Sequence, residues 1–95
     1  MGCWKDETNR AIDGYKFAST KPIEDCYQFA KLSGWSVFAV QGGRECFTEV
    51  DAGEKYQKYG ESTDCGEGGK GGPWAMDVYC VIPDCSDPGK LLNYF

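Results

Sequence analysis

Apolar residues recur at two different spacings along the chain, and these spacings predict its secondary structure. One stripe repeats every three to four positions between Pro22 and Gly34; it consists of Ile23, Cys26, Tyr27 and Ala30. Ser19 or Thr20 can cap the start of this segment, Pro22 suits a first helical turn, and Gly34 suits a helix end. The pattern therefore predicts one amphipathic helix with a cysteine on its buried face.

Short runs rich in β-branched and aromatic residues predict strands on both sides of this helix. They cover residues 2–5, 35–41, 45–48 and 76–82. Gly42 and Gly43 join the second run to the third, and paired glycines supply the positive φ that a tight hairpin requires. We therefore expect a single α+β domain over residues 1–95, with one helix packed on a small twisted antiparallel sheet.

The chain has six cysteines, spread from Cys3 to Cys85, and no histidine. No two cysteines form a Cys-x-x-Cys pair, which argues against a zinc site and for a disulfide framework made in an oxidising compartment. A helix followed by a hairpin, each with one cysteine, suggests a Cys26–Cys46 bond. This argument leaves the other pairings open, and it predicts a secreted or extracellular domain.

The charge and the residue types exclude several classes of function. A net charge of −5 disfavours nucleic acid, because phosphate binding requires clustered Lys and Arg. No apolar run approaches the roughly 18 residues of a membrane span, so we expect no membrane insertion. Without histidine there is no Ser/His/Asp or Cys/His arrangement, and the carboxylates form no obvious pair. We expect no enzymatic activity and no cofactor.

The glycine-rich run over residues 64–74 is the strongest candidate for a functional loop. It does not match a phosphate-binding loop, because Lys70 is followed by Gly71 rather than Ser or Thr. Sugars are bound by aromatic faces together with polar side chains, on loops held by a rigid scaffold. The predicted ligand-binding residues in and around this loop are Tyr59, Asp64, Lys70, Trp74, Asp77 and Tyr79.

Several of these residues have a competing interpretation. Trp74 and Tyr79 suit packing over the sheet equally well. Asp77 suits a hydrogen bond to glycine amides that braces the loop. Asp64, Glu67 and Asp77 together are an alternative set of oxygen ligands for calcium, although no EF-hand spacing is present.

A series of short motifs follows in a characteristic order along the chain. They are Gly2-Cys3-Trp4-Lys5-Asp6, Arg10-Ala11-Ile12, the helix with Cys26 and Phe29, Gly43-Arg44-Glu45-Cys46-Phe47, the glycine-rich run and Val78-Tyr79. This series resembles a divergent WSC domain, the cysteine-rich extracellular module of fungal cell-wall sensors and Kremen-type receptors, which is related in shape to PAN/apple domains. Ala30 and Thr48 stand where that family usually has two further cysteines, and a joint loss is expected if those two pair with each other.

The resemblance carries implications for pairing and for function. It implies neighbouring first and last strands, which would pair Cys3 with Cys80 and leave Cys65 for Cys85. It also implies a non-catalytic extracellular carbohydrate-binding module or small lectin, with glycans or glycoproteins as partners. The alternative is a protein-interaction, matrix or adhesion module that uses the same aromatic-rich surface without sugar. Arg10 and Glu45 lie in the family-like motifs and are interpreted as structural, as an ion pair or a turn brace.

Overall fold

The computed structural model describes residues 2–81, and within that range it confirms the α+β prediction. The elements are β1 (Gly2–Lys5), β2 (Tyr15–Ala18), α1 (Pro22–Ser33), β3 (Val37–Gln41), β4 (Glu45–Thr48), α2 (Ala52–Lys55) and β5 (Ala75–Cys80). The five strands form one antiparallel sheet in the order β1-β5-β3-β4-β2. Neither helix in this range is long and apolar enough to cross a membrane.

Helix α1 has the predicted end but a different start. Gly34 takes a left-handed conformation, with φ of 78°, and its amide donates to the carbonyls of the last turn. At the other end the cap position falls on Lys21, which makes no side-chain capping bond, so the predicted cap at Ser19 or Thr20 is wrong. Ser19 instead braces the approach to the helix: its hydroxyl accepts from the Lys21 amide and donates to Asp25.

The sheet has the long helix α1 on one face, and a loop together with the short helix α2 on the other. We call the face covered by α1 the helix side; its core consists of Cys26, Tyr27, Ala30, Phe38, Val40, Cys46, Tyr79 and Val81. We call the opposite face, covered by residues 6–14 and α2, the loop side; its core consists of Ala11, Ile12, Val37, Ala39, Phe47, Ala52, Tyr56, Met76 and Val78. The side chains of β3 alternate between the two faces of the sheet. Because both faces are covered, β3 is buried along its whole length.

The outer strands of the sheet are β1 and β2. The edge of β1 is covered by residues 60–62, since the Lys5 amide donates to the Gly60 carbonyl and the Ser62 amide to the Cys3 carbonyl. The other edge is β2, which the sequence pattern does not predict. It has four residues, and its register with β4 is irregular between Tyr15 and Phe17, so it lacks a clean alternation.

The disulfide prediction is partly confirmed. Cys26 and Cys46 are bonded and join α1 to β4. Cys3, however, is bonded to Cys65, so the predicted Cys3–Cys80 and Cys65–Cys85 pairs are wrong. Cys80 is also disulfide-bonded, and Cys85 lies outside the described residues.

The register of β1 on β5 explains this correction. The two strands are neighbours, as expected, but Cys3 lies opposite Asp77 and Gly2 lies opposite Val78. Cys80 therefore lies past the end of β1, two residues beyond the position opposite Gly2. Cys80 is also three residues from Asp77, and because successive strand residues alternate between faces, its side chain lies on the opposite face from that of Cys3. Cys65 reaches Cys3 because the segment that begins at Gly60 runs along the edge of β1.

Candidate ligand-binding site

Hydrogen bonds from the loop backbone to side chains of β5 and to the hairpin backbone fasten the glycine-rich loop to the end of the sheet. The Gly71 amide donates to Asp77 Oδ2 at 2.8 Å, and the Tyr79 hydroxyl donates to the Gly69 carbonyl. The Lys70 carbonyl accepts from the Gly43 amide in the hairpin turn at 2.8 Å. The loop is thus held by β5 on one side and by the β3–β4 hairpin on the other.

Two of its glycines are required by close backbone packing. A Cβ atom on Gly71, where φ is 72°, would lie 2.4 Å from the Val40 carbonyl oxygen. A Cβ atom on Gly72 would lie 2.1 Å from the Asp64 carbonyl oxygen. These distances are far below van der Waals contact, so the glycines allow the loop to pack on the protein itself.

Asp77 and Tyr79 brace the loop from the helix side of the sheet. Asp77 accepts a hydrogen bond from the Gly71 amide, which is the loop-bracing role that the sequence predicts as the alternative to sugar binding. Tyr79 is only 4% exposed, and its ring stacks on Phe38 with 5.2 Å between centroids. The side chain of Tyr79 therefore belongs to the core rather than to an open surface.

Trp74 is the most exposed tryptophan in the described part of the chain, with 52% of its surface accessible. It lies at the tip of a tight turn in which the Ala75 amide donates to the Gly72 carbonyl and Pro73 occupies the second position. Among residues 2–81, Trp74 alone combines a side chain with a positive φ, which is 54°. Such a backbone is uncommon for a bulky residue and is frequent at functional positions.

The inner face of the Trp74 ring is covered by Arg10. The guanidinium carbon of Arg10 lies 4.9 Å from the centre of the Trp74 ring and 5.3 Å from the centre of the Phe47 ring. The Asp6 amide also donates to the Trp74 carbonyl at 2.9 Å. Cation–π contact and this backbone bond together hold the indole in one orientation on the loop side of the sheet.

Arg10 is itself held by buried polar groups. Asp6 is 3% exposed; its Oδ2 accepts from Arg10 Nη1 at 2.7 Å and its Oδ1 from the Ala11 amide at 2.9 Å. With the buried Gln41 amide oriented to satisfy its neighbours, Gln41 donates to Asp6 Oδ2 and accepts from Arg10 Nη1. The ion-pair partner of Arg10 is thus Asp6 rather than Glu45, whose carboxylate lies beside Gly42 in the hairpin turn.

An open cleft of about 190 Å³ lies beside the Trp74 ring, and we call it the Trp74 cleft. It is lined by Arg10, Gln41, Gly42, Glu45, Gly72, Pro73 and Trp74. An aromatic ring, an amide, a carboxylate and a guanidinium group therefore meet at the end of the sheet. From the sequence, Arg10 and Glu45 are expected to be structural only and Gln41 is not predicted as a site residue; the Arg10-Ala11-Ile12 motif is the available signal.

The structure does not gather the six predicted residues into one site. Tyr59 is half-buried against the core, and its hydroxyl donates to the Asn9 carbonyl. Asp64 is exposed beside β1, where it lines a separate cleft with Cys3, Lys5 and residues 61–63. Lys70 is exposed at the hairpin turn, while Asp77 and Tyr79 lie on the helix side. Trp74 remains as the predicted residue that combines exposure with a fixed orientation.

The acidic residues considered as calcium ligands are also separate. No group of three or more His, Cys, Asp or Glu residues suited to hold a metal ion is present among residues 2–81. Asp77 accepts a hydrogen bond from the loop, and Asp64 lies at the β1 edge. The described side chains therefore do not form the oxygen cage that calcium requires.

Comparison with known proteins shows a local similarity. No family model matches the chain. It is 34% identical over 88 residues to Xylosyltransferase oxt of Drosophila melanogaster and 32% identical over 88 residues to Xylosyltransferase oxt of Drosophila pseudoobscura pseudoobscura. In both cases the similarity covers 83% of this chain and 10% of the relative. The chain thus spans about a tenth of the length of these curated relatives.

Proposed function

We propose that this chain is a non-catalytic extracellular carbohydrate-binding module of the WSC type, with Trp74 as its sugar-stacking residue. The observation that carries the proposal is the half-exposed Trp74 ring, fixed on its inner face by Arg10 at 4.9 Å. A ring held in this way loses little conformational entropy when a ligand covers its outer face. A rigid aromatic surface next to polar groups is suited to the C–H faces and hydroxyl groups of a sugar.

The polar groups of the Trp74 cleft favour binding over catalysis. Glycosidases use two carboxyl groups that flank the scissile bond. Within the described cleft, Glu45 is the carboxylate that lines the surface, and the nearby Asp6 is buried beneath Arg10 and fully hydrogen-bonded. Glu45, Gln41 and Arg10 supply acceptors and donors for hydroxyl groups without a second catalytic acid.

The disulfides and the relatives support the same proposal. Disulfides persist in oxidising compartments, which agrees with an extracellular location. The relatives are named as enzymes that transfer xylose, and the matching segment forms about a tenth of their length. We infer that the chain acts as a small sugar-binding unit of the kind that accompanies a larger carbohydrate-active protein. Xylose-containing glycans are therefore the first ligands to test.

A different surface favours the alternative function, a protein-interaction or adhesion module. On the helix side, Leu32 is 85% exposed and Phe29 is 36% exposed. Phe29 contacts Phe17 and Trp35 through tilted or edge-on ring contacts. Exposed apolar residues in such a group are typical of interaction surfaces. Because this surface and the Trp74 cleft lie on different sides of the sheet, mutations can separate the two functions.

A glycan array probed with the oxidised domain tests the proposal. We expect binding to xylose-containing or other neutral glycans, loss of binding in Trp74→Ala, and unchanged binding in Leu32→Ala. Trp74→Ala removes one exposed cation–π contact, so its thermal midpoint should fall by only about 5 °C. Absence of binding to every glycan would refute the lectin proposal, and loss of binding in Leu32→Ala alone would favour the helix-side surface.

A further inference from the structure

We infer that the ligand of the proposed function is a linear, uncharged oligosaccharide that extends from Trp74 across Arg10 into a second cleft beside α2. This inference rests on the proposed sugar site and assigns its length and charge preference. The second cleft, which we call the α2 cleft, has a volume of about 470 Å³. It is lined by Arg10, Ala11, Asp13, Glu54, Lys55, Gln57 and Lys58.

The two clefts meet at Arg10, which lines both of them. Both open on the loop side of the sheet, because residues 6–14 and α2 cover that face and the Arg10 guanidinium packs on Phe47. A ligand stacked on Trp74 therefore has a path past the guanidinium group toward Gln57. The Asp6–Arg10 ion pair holds this shared wall of the two clefts in place.

The volumes favour a ligand longer than one sugar unit. The Trp74 cleft, at about 190 Å³, is smaller than the roughly 300–1,000 Å³ that is typical of small-molecule sites. The α2 cleft lies within that range. A chain that occupies both clefts would bury far more surface than a monosaccharide at Trp74 alone, which predicts affinity that rises with chain length.

The charges around both clefts disfavour an anionic ligand. Arg10 is paired with Asp6. Lys55 Nζ lies 3.4 Å from Glu49 Oε2 and 3.4 Å from Asp51 Oδ2. Desolvation lowers the pKa of Lys55, but its hydrogen bond to Asp51 and the charges of Glu49 and Asp51 outweigh this and leave the pKa raised. Arg10 and Lys55 are therefore already neutralised, and Lys58 is the one further cation among the described residues that line the α2 cleft. Asp13 and Glu54 also line the α2 cleft and would repel sulfate or carboxylate groups.

Gln57 and Lys58 are exposed side chains of the α2 cleft that can donate hydrogen bonds to hydroxyl groups, beside the acceptors Asp13 and Glu54. The Gln57 amide is held in place by a hydrogen bond from its Nε2 to the Tyr56 hydroxyl at 3.1 Å. The Lys58 ammonium group lies 5.3 Å from the centre of the Tyr59 ring, at the surface. Both groups are placed to contact the distal units of a chain whose first unit stacks on Trp74.

Calorimetric titration with neutral oligosaccharides of graded length tests this inference. The probes are mono-, di-, tetra- and hexasaccharides prepared from xylan, cellulose, laminarin and chitin, with heparin as the anionic probe. For the series that binds, affinity should rise from the disaccharide to the tetrasaccharide, and heparin should bind no more tightly than the disaccharide. The Gln57→Ala/Lys58→Ala double variant should lose about tenfold in tetrasaccharide affinity, the value of roughly two hydrogen bonds, while its disaccharide affinity is unchanged.

A matched control and the possible failures keep the two proposals apart. Gln28→Ala/Lys21→Ala changes the same residue types on exposed positions of α1 and of the residue before it, and it should bind like the parent protein. Affinity that is independent of chain length, a double variant equal to its control, or preferred binding of heparin would overturn this inference while leaving the sugar site intact. Failure of every oligosaccharide to bind would instead refute the proposed function.

Discussion

Arg10 connects the stability of the domain to its candidate site. Its guanidinium group lies between the buried Phe47 ring and the exposed Trp74 ring, and it forms an ion pair with the buried carboxylate of Asp6. The same side chain thus fills a gap over the core and supports the surface ring. Substitution of Arg10 would therefore be expected to disturb stability and ligand binding together, which makes its neighbours more informative targets.

Asp6→Ala should destabilise the domain, because it removes the partner of Arg10 and the acceptor of the Ala11 amide. Arg10 is partly exposed, so we expect a loss of about 2 kcal/mol, below the full cost of breaking a buried pair. Urea denaturation measures this difference. Glu7→Ala, a change at the exposed neighbouring carboxylate, should stay within about 0.5 kcal/mol of the parent. Equal effects of the two substitutions would contradict the structural role of Asp6.

Gly71→Ala and Gly68→Ala form a matched pair in the same loop. Both glycines have positive φ, so each alanine pays a left-handed backbone cost of about 1 kcal/mol. At Gly68 a Cβ atom meets nothing within 4 Å, whereas at Gly71 it overlaps the backbone of Val40 and Ala75. We expect Gly71→Ala to cost at least about 3 kcal/mol in the free energy of unfolding and Gly68→Ala about 1 kcal/mol. Similar losses would show that the loop does not pack as described.

At the scale of single residues, the sequence shows which side chains have the chemistry of a sugar contact, but not which of them are exposed to solvent. The residue types of Trp74, Asp77 and Tyr79 all predict sugar contacts, but their roles depend on which face of the sheet each side chain meets. The strand alternation placed Asp77 and Tyr79 together correctly. It does not show that the glycine-rich loop folds onto that face, where it hydrogen-bonds both residues and buries Tyr79, because this depends on contacts formed only in the folded chain.

At the scale of elements, local sequence signals predict α1 and the β3–β4 hairpin, and these two elements predict the Cys26–Cys46 disulfide between them. The Gly42-Gly43 turn and the helix stop at Gly34 each depend on the backbone of a few residues, which is why they were predictable. Strand β2 depends on its partner β4 rather than on its own four residues, so its pattern gave no signal. The family resemblance implies that β1 and β5 are neighbours, but it does not give the register that separates Cys3 from Cys80.

The Cys3–Cys65 bond is tested by a thiol titration of the Cys3→Ser/Cys65→Ser double variant. Because Cys80 is bonded elsewhere, this variant should contain no free thiol after oxidative folding. It should be less stable than the parent by about 4 kcal/mol, since the bond closes a loop of 62 residues in the chain-entropy model. Two free thiols in the variant would contradict the pairing and restore the alternative with Cys80.

At the scale of the whole molecule, the domain presents two aromatic surfaces on different sides of one sheet. Trp74 and Arg10 lie on the loop side, next to polar groups and two clefts. Phe29, Leu32 and Trp35 lie on the helix side, where Phe29 and Leu32 are exposed apolar residues. The first arrangement suits a sugar and the second suits a protein, so the location of the bound ligand distinguishes the two functions.

The most direct test uses the indole N–H signals of the three tryptophans in a heteronuclear NMR titration with the glycan selected on the array. Trp74→Phe assigns the signal of Trp74 by its absence. We expect the ligand to shift the Trp74 signal in a saturable manner, while those of Trp4 and Trp35 stay in place. A shift of the Trp35 signal with an unchanged Trp74 signal would contradict the account and assign binding to the helix side.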